Sequence, residues 1–123
     1  MKFTLAEIKL MSSSLSKLVH LDLPIRISYR LSKLLNFFDK EIMTVENARR
    51  GLVKKYASDN KDEEGMRVAK EHEEEFRVEF EKLLTEEVEF AFEPISIDEL
   101  GNIKMSPMDL VRINKIIKEN QGN

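Results

Sequence analysis

The chain has 123 residues, of which 41% are hydrophobic and 35% charged, and a net charge of −3. That length holds one domain around one core of modest size, and the excess of charge favours exposed helices over a large buried sheet. Cysteine is absent, which excludes a disulfide framework and thiolate chemistry, and no run of about 18 apolar residues offers a membrane span.

The N-terminus MKFTLAEIKL places Lys2, Glu7 and Lys9 within ten residues, so it is not read as a secretory signal. Thr4 and Glu7 stand at the spacing of a capping box, in which each side chain meets a free backbone N–H. A helix is therefore predicted from Leu5 to about Val19, with Leu5, Ile8, Met11, Leu15, Leu18 and Val19 at helical spacing. Ser12, Ser13, Ser14 and Ser16 lie among them, and small side chains allow close approach of a neighbouring helix. Pro24 biases the residue before it away from helix, so His20–Leu23 reads as a turn and the two flanking helices as an αα-hairpin.

The second helix is predicted over Pro24–Tyr56. Its stripe is Ile27, Leu31, Leu34, Phe38, Ile42, Val45, Leu52 and Tyr56, with Gly51 as a candidate bend. Such a helix is about 50 Å long, against roughly 35 Å for the diameter of a compact domain of this size. Its far end, Ile42, Val45, Leu52 and Tyr56, is accordingly expected to meet a second copy and form a homo-oligomer. The polar face carries Arg26, Arg30 and Lys33 at one end. At the other stand Arg49, Arg50, Lys54 and Lys55, candidate phosphate contacts without an aromatic platform beside them.

Residues 58–65 form a polar loop. Asn60, Asp62, Glu64, Gly65 and Glu71 fall on calcium-loop spacing, but Asn at the first position and Arg67 at the eighth argue against calcium. An acidic helix is expected over 66–85, and Glu71, Glu74 and Glu75 form a candidate acidic partner surface able to imitate nucleic-acid phosphates. His72-Glu73 lacks a second His four residues on, so no zinc protease motif exists, and Ser12–Ser14 have no partnered base. Residues 1–58 carry a net +6, 59–99 a net −11 and 100–123 a net +2. The expectation is that the basic and acidic helices lie side by side and largely neutralise each other.

A β element is expected over 87–105. Val88, Phe90 and Phe92 alternate with Glu89, Ala91 and Glu93, Pro94 ends regular pairing, and Ile103–Met105 is the candidate returning strand of a hairpin. Gly101-Asn102 reads as a turn. Ser106-Pro107-Met108-Asp109 is a helix start, and the closing helix over 106–119 turns Leu110, Val111, Ile113, Ile116 and Ile117 inward. Phe90 and Phe92 are expected to meet Ile113 and Ile117.

The stretches LPIRISYRLSKLL, ENARRGLVKKY, VEFAFEPISIDEL and KMSPMDLVRINKII resemble small uncharacterised helical proteins encoded by tailed bacteriophages and prophages. The resemblance implies a viral origin and an assembly or host-interaction role, and it carries no catalytic residues. The expectation is a mostly α protein of the α+β class. A long central amphipathic helix sits in a helical bundle, with a small β-hairpin and a C-terminal helix. It is taken to be a non-enzymatic phage accessory protein acting through protein–protein contacts, without cofactor, metal or membrane partner, in the host cytoplasm or on the virion. The alternative is a nucleic-acid-associated or host-inhibitory phage protein.

Overall fold

In the structure, a computed structural model that describes residues 1–57 and 67–119, strand β1 (Lys2–Thr4) leads into helix α1 (Leu5–Val19). The capping box is present: the Thr4 hydroxyl accepts from the Glu7 N–H at 3.0 Å, and the Glu7 carboxylate accepts from the Thr4 N–H at 2.8 Å. Leu5, Ile8, Met11, Leu15 and Leu18 are buried, as the spacing requires. After a turn, α2 (Ile25–Lys55) runs 31 residues and passes through Gly51 as helix. Pro24 takes the N-cap position, where its missing N–H costs nothing.

The stripe of α2 faces the same core. Ile27, Leu31, Leu34, Phe38 and Val45 are buried, and Ile42 packs against them. Phe38 meets Phe3 of β1 edge-on at 5.1 Å, the geometry that sets a positive ring edge against a negative face. Past α2, an antiparallel bridge joins Ala57 to Val68, and the Ala69 N–H donates to the Tyr56 carbonyl at 2.7 Å. A 3₁₀ turn (Lys70–His72) then opens α3 (Glu73–Leu84), so the acidic helix is regular over its second part only. Phe80, Leu83 and Leu84 pack on the core from α3. The expected polar loop over 58–65, and with it the calcium-loop spacing argued against above apart from Arg67 and Glu71, lies outside the described residues.

The small β element is present, but its pairing differs from the expected hairpin. Strand β2 (Glu87–Glu89) pairs antiparallel with β1, Phe3 opposite Val88. Strand β3 (Ile95–Ser96) pairs in parallel with β4 (Ile117–Lys118), Ile95 opposite Ile117. Ile103–Met105 is not a strand. Period-two alternation identifies a strand but not its partner, and a three-residue partner such as Lys2–Thr4 leaves almost no pattern.

Between β3 and β4 the chain makes a 3₁₀ turn (Ile97–Leu100), α4 (Pro107–Arg112) and a further 3₁₀ turn (Asn114–Ile116). Gly101 sits at φ 70°, in the region that favours glycine, where the first of these turns ends. The expected closing helix to 119 is thus corrected: it is α-helical for six residues only. Its β-branched run disfavours helix, and Ile117 joins the sheet instead. Ile113 and Ile116 are fully buried, whereas Val111 is 64% exposed.

Candidate functional site

Two surface features combine shape with chemistry. The first is a groove of about 370 Å³ between the start of α2 and the link from β2 to β3, lined by Tyr29, Arg30, Lys33, Phe90, Phe92 and Glu93 among others. Alternation sends Phe90 and Phe92 to one side of the extended link. Phe90 stacks on Phe37 at 4.7 Å, and the Arg30 guanidinium lies 5.2 Å over the Phe92 ring while donating to the Glu93 carbonyl. Tyr29 is 64% exposed, with the Lys33 ammonium 5.4 Å from its ring centre. Phe90 and Phe92 therefore face α2, a correction to the expectation that they meet Ile113 and Ile117. That displacement follows from the strand pairing, which carries the link past α2 and sets Ile117 beside Ile95.

The second feature is a groove of about 460 Å³ between α1 and α4, with Leu10, Met11, Met108 and Val111 as its apolar lining. Leu10, Met108 and Val111 are 59%, 58% and 64% exposed. On its rim the Lys115 ammonium donates to both Glu7 carboxylate oxygens, at 2.9 and 3.0 Å.

Beneath α4 lies a buried polar node. The Asp109 carboxylate accepts from the Ser14 hydroxyl at 2.7 Å and from the Ser106 hydroxyl at 2.9 Å, and lies 3.3 Å from the Lys17 ammonium. The Ser14 and Ser106 donors, followed by Lys17, hold the Asp109 pKa below its usual range. Ser14 is the one member of the serine run that is fully buried, so the small residue there carries a hydrogen bond to α4. This arrangement fastens α4 to α1; the Ser14 hydroxyl is engaged by a carboxylate and closed off from solvent.

The sites expected from sequence fall as follows. Val45 is 4% exposed and covered by its own chain, and Ile42 is half-buried against the core. Leu52 lies in a groove facing Leu83 of α3, and Tyr56 tilts against His72 with ring centres 5.5 Å apart. Much of the apolar stripe assigned to a second copy is thus covered from within. Arg49 pairs with Glu46 one turn back, Lys55 reaches Glu79 of α3 at 2.9 Å, and Arg50 and Lys54 are exposed. On α3, Glu74 is held by Arg77, Glu75 lies 3.4 Å from His72, and Glu71 is exposed just before the helix. Lys55–Glu79 joins the basic and acidic helices; the Arg49–Glu46 pair and those of Arg77 with Glu74 and Glu81 stay within one helix.

Among the described residues, no group of three His, Asp or Glu side chains could hold a metal ion. No described helix is long and apolar enough to cross a membrane. No family model, curated protein or solved structure matches this chain.

The aromatic groove was not assembled from sequence, although both halves carried a signal. Arg26, Arg30 and Lys33 stand out as one polar face, and Phe90 and Phe92 as one strand face. What joins them is a long-range packing that neither periodicity contains.

Proposed function

We propose that this is a non-enzymatic phage accessory protein that works through protein–protein contacts in virion assembly or host interaction, and that the α1–α4 groove is its contact face. The viral assignment rests on the sequence resemblance. One observation carries the contact face: three large apolar side chains, each more than half exposed, converge on a single groove. Exposed apolar residues scattered singly need no explanation, whereas a convergent set does. A second copy of the chain is the proposed occupant.

Covering the exposed parts of Leu10, Met108 and Val111 yields about 3–5 kcal/mol at about 1.5–3 kcal/mol per fully buried side chain. Association costs about 4–15 kcal/mol in lost freedom of motion. In a two-fold pair both copies bury these side chains, about 6–10 kcal/mol in all, which exceeds the lower end of that cost and supports weak association, strengthened where many copies are held side by side. Sedimentation from about 10 µM to 1 mM is the direct test, since a contact of this size falls in that affinity range. The average mass should climb above 14.4 kDa with concentration. The pair Leu10→Glu and Val111→Glu should hold it at the monomer value. A monomer at every concentration overturns self-association through this face.

A further inference from the structure

We infer that the groove between α2 and the β2–β3 link binds single-stranded nucleic acid, with bases stacking on Tyr29 and Phe92 and phosphates held by Arg26, Arg30 and Lys33. This goes beyond the protein-contact role and involves different residues. It also replaces the basic end of α2 as the phosphate site, where Arg49 and Lys55 already hold carboxylates.

Three observations converge. The groove presents two aromatic rings beside cations, the pairing that backbone-tracking, base-stacking proteins use, whereas at the other end of α2 the Lys55–Tyr56 pair is engaged by Glu79 and His72. The cations rest on the rings themselves, Arg30 over Phe92 and Lys33 over Tyr29. An exposed cation–π contact is weaker than a base–aromatic stack, so a base can displace the ammonium from Tyr29 and leave Lys33 free to meet a phosphate. On Phe92 a base displaces the Arg30 guanidinium in the same way and leaves it free to meet a second phosphate. Finally, Arg26 stands beyond the groove in the first turn of α2, which has no acidic residue and no side-chain cap. The positive end of the helix dipole there adds to the field of Arg26, which stands one turn before Arg30. Glu93 is the one carboxylate in the lining, and its backbone carbonyl is what Arg30 engages.

An acidic peptide would use the cations but leave the rings idle, so the aromatic contribution separates the two ligands. The probes are fluorescein-labelled dT12, rU12 and a twelve-residue polyglutamate, read by fluorescence anisotropy with the full chain. Three phosphate contacts give a salt slope of about −2, or roughly a twenty-fold loss of affinity between 50 and 200 mM salt. Tyr29→Ala should cost about ten-fold at either salt concentration, as the loss of one stacking partner. Lys33→Gln should lower the slope by about 0.7. Tyr29→Phe should bind like the parent, and Arg50→Gln with Lys54→Gln should change little. Tyr29 is exposed, so these variants should keep the parent circular dichroism spectrum. Three results overturn the inference: no binding of either oligonucleotide at 50 mM salt, binding lost in the Arg50/Lys54 variant but kept in Tyr29→Ala, or polyglutamate binding as tightly as dT12. The last would assign the groove to an acidic protein.

Discussion

Replacing Ile113 by Ala tests whether the closing segment belongs to the main core or merely rests on it. Ile113 is fully buried and belongs to the same apolar cluster as Leu15, Leu18 and Leu34 of the first two helices. Removing its side chain takes away transfer energy and leaves a cavity, together about 2–5 kcal/mol, with about 3 kcal/mol as the central expectation. A chain of this length has a total stability of about 6–18 kcal/mol. The single change therefore removes a sixth to a half of it. With an unfolding entropy of about 2.1 cal/mol/K per residue, each kcal/mol is worth about 4 °C, so the melting temperature should fall by about 12 °C. Urea unfolding followed by far-ultraviolet circular dichroism measures the same loss as a lower midpoint at unchanged slope. The buried Asp109 node and the β3–β4 pairing tie this segment to α1 and to the rest of the chain, so one transition should remain. A loss below about 1 kcal/mol refutes the packing argument. A second, earlier transition would show that α4 and β4 open as a separate unit.

Asp109 makes stability depend on acid. Hydrogen bonds from Ser14 and Ser106 depress its folded pKa, so its contribution is complete above the ordinary aspartate value of 3.8 and is lost as pH falls through the lower folded value. A melting series from pH 7 to 2.5 should drop at the acid end, and Asp109→Asn should flatten that part of the curve while lowering the neutral plateau. Gly51 is helical and exposed, with nothing within 4 Å of where a Cβ would stand. Gly51→Ala should then raise stability by about 0.5–1 kcal/mol, read in the same urea assay. A loss there would place a functional bend at that position.

What was legible in the sequence was local. Thr4 and Glu7 specify the start of α1, Ser106 and Pro107 the start of α4, and the three–four spacing from Ile27 to Val45 specifies which face of α2 is buried. The larger differences concern distant partners, although α3 and α4 are also shorter than their local patterns suggest. Phe90 and Phe92 were placed on a strand face but against the wrong element. The far end of α2 reads as a contact for a second copy because the helix is longer than a domain diameter; of Ile42, Val45, Leu52 and Tyr56, only Val45 is buried within the chain. In the structure α3 packs on α2 beside Leu52, and Tyr56 finds His72. The charge pattern shows the same division. Net charge by segment placed the basic and acidic helices together, as Lys55–Glu79 illustrates, but Arg77 pairs with Glu74 and Glu81 at three- and four-residue spacing within its own helix.

The stretch from Glu87 to Ser96 is gripped at both ends, by β1 on one side and β4 on the other. The two grips differ in the chain length they close: β3 and β4 lie about twenty residues apart, whereas Phe3 and Val88 lie about eighty-five apart. Contacts within the α1–α2 pair are close in sequence and can form early, while the β1–β2 clasp and the still more distant α1–α4 contacts, Ser14 with Asp109 and Glu7 with Lys115, close most of the chain. A contact made after the rate-limiting step leaves the folding rate alone and governs how fast the native form comes apart. Weakening the β1–β2 clasp or the Ser14–Asp109 fastening is therefore expected to shorten the lifetime of the native form more than it slows folding.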